Sequence, residues 1–175
     1  MRRAALTTGL LLAGVTVAGC APSAGTETPT STSVAPTSVS LPPQPQPAAD
    51  RSCPYLTSDA VADADGEKVT AVQISADKPH PACFFYTFGH AKAVTVQVYV
   101  GDTAVARGLV DRAAPVQTSS KAELPGGWEG GLLSPGKGAV YAVAKAGTAI
   151  VVNTDQPQSV KGREITKQVI ANLKL

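Results

Sequence analysis

Residues 21–50 hold seven of the chain's 14 prolines and ten serines or threonines, but none of its eight aromatic residues. Only Glu27 and Asp50 carry charge there. A stretch so poor in apolar surface cannot offset the entropy of ordering its backbone, so it is expected to stay an unstructured tether. The run Pro42-Pro43-Gln44-Pro45-Gln46-Pro47 favours extended polyproline geometry. Such a tether reaches about 90 Å fully extended and about 30 Å as a flexible coil. Whatever folds must be built from residues 51–175, enough for one modest core.

The segment before the tether reads as an export signal, residues 1–19. Arg2 and Arg3 form a basic start, and residues 6–17 are apolar. About 14 uncharged residues follow the arginines, fewer than the roughly 20 of a membrane-spanning helix. The segment ends Val17-Ala18-Gly19-Cys20, a branched aliphatic, two small residues and a cysteine. This resembles the lipobox of bacterial lipoproteins, in which small residues fit the peptidase cleft and the thiol accepts a diacylglyceryl group. The resemblance implies cleavage before Cys20 and lipidation of its sulfur, so residues 20–50 become a lipidated linker. Removing Arg2 and Arg3 leaves 13 basic and 13 acidic residues. That balance argues against recruitment by nucleic acid or anionic lipid, and leaves the acyl chains as the membrane attachment.

Two cysteines remain beyond the linker, Cys53 and Cys83. In an exported domain an even pair most simply forms a disulfide. Two thiols without a nearby histidine pair make a weak metal site. Valine outnumbers leucine 16 to 7 after residue 50, which favours a sheet-dominated core. Thr57 or Ser58 caps a short helix that Gly66 stops. Strands are expected over residues 69–76, 82–88, 93–100, 139–145 and 148–154, with room for one more. Val94, Val96, Val98 and Val100 alternate with polar positions, so that strand buries one face. Ile150-Val151-Val152 is apolar on both faces and reads as a central strand. Asp102 caps a helix with Val105, Leu109 and Ala113 toward the core, and a last helix spans about 161–173. The pattern predicts an α+β domain whose mostly antiparallel sheet of about five to six strands is flanked by helices.

Motifs with chemical potential fall short of complete sites. Gly131 to Lys137 spells G-x-x-x-x-G-K, but Gly138 follows where a phosphate loop needs Ser or Thr, and a strand follows instead of a helix. Nucleotide binding is excluded on that ground. Ser75/Lys78 and Ser134/Lys137 have Ser-x-x-Lys spacing outside helical context, so no turn brings amine to hydroxyl. His80 and His90 sit in expected loops, and no Gly-x-Ser-x-Gly elbow exists. Asp63, Asp65, Gly66 and Glu67 suggest a calcium loop, yet aligning Gly66 puts Val61 and Val72 at ligand positions. That acidic run reads as a helix end and its turn. No catalytic residues, cofactor or metal are assigned.

Aromatic residues are the remaining signal. Strand parity places Phe84, Tyr86 and Phe88 on one face of Phe84-Phe85-Tyr86-Thr87-Phe88, and Phe85 on the other. Trp128 lies in Gly126-Gly127-Trp128-Glu129-Gly130-Gly131. Phe85 and Trp128 are the candidate partner-binding residues, with core packing as the bland reading of both.

The lipobox, the Thr/Pro linker, Cys53-Pro54-Tyr55-Leu56, Cys83-Phe84-Phe85-Tyr86 and Val151-Val152-Asn153-Thr154 together resemble a family of uncharacterised actinobacterial cell-envelope lipoproteins. The resemblance implies the outer face of the cytoplasmic membrane or the envelope, and a fold of the Mog1/PsbP type. It brings no catalytic residues. The expected function is a non-catalytic binding or scaffolding module for an envelope protein or glycan. The alternative is a lipid or small-ligand carrier, which needs a cavity of several hundred Å3. A hydrolase stands third.

Overall fold

The computed structural model describes residues 39–175. The expected signal segment and the lipidation at Cys20 lie outside the described residues. Eight strands form one open antiparallel sheet: β1 (Ala49–Asp50), β2 (Ala71–Ile74), β3 (Cys83–Tyr86), β4 (Lys92–Val100), β5 (Ser120–Leu124), β6 (Trp128–Leu133), β7 (Ala139–Lys145) and β8 (Thr148–Thr154). Their spatial order is β1-β2-β3-β4-β8-β7-β6-β5. Three α-helices accompany them: α1 (Ser58–Asp65), α2 (Thr103–Ala113) and α3 (Ser159–Leu173).

The helix ends follow from local chemistry. The Thr57 hydroxyl accepts from the Ala60 amide at 3.2 Å, and Gly66 closes α1 in the left-handed region at φ 84°. Asp102 Oδ1 accepts from the Ala104 and Val105 amides, so α2 begins with two of its otherwise unpaired donors satisfied.

The sheet buries both faces, each differently. Val94, Val96 and Val98 of β4 join Ile150, Val152, Tyr141 and Val143 in the larger core, closed by Val61 of α1 and by Ile165 and Val169 of α3. On the other face Ala106, Leu109, Val110 and Ala114 pack against Ala142, Ala149 and Val151. Small residues on that side let α2 lie close to the sheet. β8 pairs with β4 on one edge and β7 on the other, while Ile150 and Val152 point into the larger core and Val151 packs beneath α2, so both faces of Ile150-Val151-Val152 are covered, as the sequence implied.

Two expectations are corrected and one is extended. The sheet has eight strands, because β1, β5 and β6 join it. β1 is only two residues long, and β6 carries Gly130 and Gly131, which lower strand propensity. Leu109 of α2 is buried and Val105 and Ala113 pack partly buried against the same cluster, as expected, but the buried stripe extends to Ala106 and Val110 as well. Finally, the ordered domain begins before residue 51. Gln44, Pro45 and Gln46 line a crevice of about 440 Å3 with Phe84, Lys92 and Leu109, and Asp50 is paired with Gln73. The extended geometry of the proline run suits a strap across this sheet face.

Gly108 shows the same contact from the helix side. Glycine inside a helix costs about 1 kcal/mol relative to alanine. A Cβ at that position would lie 2.6 Å from Leu41 Cδ2, so the glycine leaves room for the end of the Leu41 side chain against α2.

Candidate functional site

An open groove of about 650 Å3 lies between α2, the connection after it, and the β6–β7 side of the sheet. Val110 of α2, Ala114 just after that helix, Gly130 of β6 and Ala144 of β7 give it a floor of small apolar groups. Its rim is charged: Arg107 and Asp111 come from α2, Lys121 from β5, Glu129 from β6 and Lys145 from β7. Lys121 pairs with Glu123, and that carboxylate raises the pKa of the Lys121 ammonium. Lys145 Nζ stands 5.2 Å from the centroid of the Trp128 ring, within the range of a cation–π contact. Gly126 and Gly127, at φ 87° and 83°, turn β5 into β6 at the groove's end.

Sequence distance hides a second cluster. Asp65 ends α1, Glu67 follows the turn at Gly66, and Asp155 lies just beyond β8. Carboxylate oxygens of the three lie within 4.8 Å of one another. Burial pushes the Asp65 carboxyl up to about 6; Lys161 opposes the rise, while Asp155 and Glu67 add to it. The Asp155 carboxyl is also raised, by desolvation first and then by Glu67.

The residues singled out in the sequence have definite places. Cys53 and Cys83 form a disulfide, with Cα atoms 5.6 Å apart. It ties the chain entering α1 to β3, beside Tyr55, whose hydroxyl donates to the Pro81 carbonyl at 2.8 Å. Phe85 and Trp128 are corrected as partner-binding candidates, since their relative exposures are 0% and 1%. Both side chains face the larger core, where burying a large ring outweighs presenting it. Phe84 is buried on the opposite face, and Phe88 is 93% exposed in the turn between β3 and β4. The Ser75 hydroxyl donates to Asp77 at 2.7 Å and accepts from the Ala82 amide. Ser134 donates to the Pro157 carbonyl at 2.9 Å. Both serines therefore hold turns. His80 meets the Tyr55 ring edge-on. The G-x-x-x-x-G-K stretch leads into β7, so a strand rather than a helix follows its lysine.

Sequence reasoning missed the groove entirely, because the charges of its rim come from four separate elements, α2, β5, β6 and β7. It considered Asp65 and Glu67 but rejected them as a contiguous loop. The missing partner, Asp155, is 88 residues beyond Glu67 in the chain. An acidic residue ending a helix was the available signal.

These elements define a disulfide-bonded α+β domain, and its disulfide fits an oxidising, extracytoplasmic environment. No helix among the described residues is long and apolar enough to cross a membrane. Residues 38–175 match the DUF2020 family, described as a domain of unknown function, and the chain belongs to that family. No curated protein matches the chain.

Proposed function

We propose that this domain is a non-catalytic binding or scaffolding module of the cell envelope, anchored by lipid on Cys20 and set off from the membrane by the Thr/Pro segment. The groove beside α2 carries the reading. It is open to solvent, floored by small apolar groups and rimmed by charges of both signs. Such a site suits an extended polar ligand, a peptide segment or a glycan, laid along the surface. The arrangement of one sheet between helices also agrees with the Mog1/PsbP-type fold, which is part of the same proposal.

A carrier is the second reading, since about 650 Å3 falls in the range of small-ligand sites. Its charged rim and open form favour a surface ligand over an acyl chain. Photo-crosslinking in cells separates the two. Val116, 75% exposed at the groove rim, and Val160, 61% exposed at the start of α3, would each be replaced by a photoreactive amino acid. The module reading expects one adduct from position 116 that is absent from position 160. Equal adducts from both positions, or stoichiometric non-covalently bound lipid in native mass spectra of the purified protein, would overturn it.

A further inference from the structure

Asp65 occupies the last position of α1, where aligned peptide dipoles leave partial negative charge and an acidic side chain is disfavoured. It is also 1% exposed, and neither carboxylate oxygen has a hydrogen-bond partner. A buried carboxylate without partners is costly in any protein. One residue that offends helix electrostatics, burial and polar satisfaction together points to a role that packing does not supply.

Glu67 and Asp155 bring two more carboxylates to the same point, with oxygens of all three within 4.8 Å of one another. Two oxygens that each lie about 2.3–2.6 Å from one calcium ion can be separated by up to about 5 Å. A single ion can therefore touch all three. The outer positions are held in place: Gln156 Nε2 donates to Glu67 Oε1 at 2.7 Å, and the Asp155 amide donates to the Ala93 carbonyl at 2.8 Å. Lys161 is the neighbouring cation, but its ammonium donates to the main-chain oxygen of Asp65. The ion pairs among the described residues are Lys121–Glu123 and Lys167–Glu164, so Lys161 makes no direct ion pair with the Asp65 carboxylate.

We propose that Asp65, Glu67 and Asp155 bind one calcium ion. Three hard oxygen ligands suit that class of metal, and water fills its remaining coordination positions. The ion fastens the end of α1 to the connection between β8 and α3, and its charge complements the helix terminus. The site shares no residue with the α2 groove, so its function is independent of the binding role proposed there.

The test uses the full chain, stripped with chelator and titrated with calcium chloride by calorimetry and by thermal unfolding, with magnesium chloride in parallel. One-site calcium binding and a saturable rise in unfolding midpoint are expected. Gln156→Ala should weaken binding about tenfold, as loss of an orienting hydrogen bond does elsewhere. Asp65→Asn should abolish the calcium response and raise the midpoint measured in chelator. Should that variant not fold, Asp155→Asn, at an exposed position, is expected to fold and to lose at least tenfold in affinity. The proposal is overturned if the wild-type chain shows no binding at millimolar calcium, if it responds to magnesium and not calcium, or if Asp155→Asn binds like wild type.

Discussion

Arg112 Nη1 donates a hydrogen bond to the carbonyl oxygen of Pro42 at 2.8 Å. The bond joins the last turn of α2 to the proline-rich strap 70 residues earlier. Together with Leu41 seated over Gly108 and β1 paired to β2, it makes residues 39–50 part of the domain.

A chain beginning at residue 38 should therefore be more stable than one beginning at residue 51. The shorter chain loses at least one hydrogen bond to a charged donor and the partial burial of Leu41, together about 2–3 kcal/mol. Urea unfolding of both reads the difference as a lower midpoint for the shorter chain. Coincident midpoints would show that the strap merely rests on the surface.

The Cys53–Cys83 bridge spans 30 residues of chain. Chain-entropy reasoning assigns a loop of that size about 3–4 kcal/mol, by restricting the unfolded ensemble. The Cys53→Ala/Cys83→Ala double variant should lose most of that in equilibrium unfolding. A loss below about 1 kcal/mol would mean that the unfolded chain is already compact there.

The fold was legible where one physical preference dominated a segment. β4 alternates valine with polar residues, and Ile150-Val151-Val152 announces a central strand, so the middle of the sheet followed from periodicity. β6 was hidden because Trp128-Glu129-Gly130-Gly131 looks like a loop until α2 is present to require glycine. Phe85 and Trp128 illustrate a different limit, since strand parity separates two faces but does not say which of them is covered. The carboxylate cluster depends on tertiary structure altogether: Asp155 meets Asp65 only after β8 has paired beside β4.

Gly131 supplies a direct check on why β6 carries its glycines. A Cβ there would lie 2.6 Å from Ser119 Oγ and 2.9 Å from Ala114 Cβ. Gly131→Ala should push the end of α2 off the sheet and cost about 1–3 kcal/mol, the usual range for overpacking. Gly136, in the turn before β7, has nothing within 4 Å of its notional Cβ but a φ of 82°. Alanine there should cost about 1 kcal/mol through backbone strain alone. Thermal unfolding of the pair should show the larger loss for Gly131→Ala; the reverse order would assign the glycines to turn geometry instead.

Trp128 and Phe88 should respond in opposite ways to removal of their rings. Trp128 is almost wholly enclosed in the larger core, so Trp128→Ala leaves a large cavity and should cost about 3–5 kcal/mol. It also strips Lys145 of the ring beneath it, altering the groove rim from below. Phe88 projects into solvent from a turn closed by the Thr87 amide donating to the Ala91 carbonyl at 2.9 Å. Phe88→Ser leaves that bond intact and should change stability by no more than about 0.5 kcal/mol. Equilibrium denaturation followed by far-ultraviolet circular dichroism measures both variants without relying on the tryptophan signal. A large loss for Phe88→Ser would mean that the ring packs against the domain in solution, whereas a small loss for Trp128→Ala would mean that the β5–β6 hairpin is loosely attached.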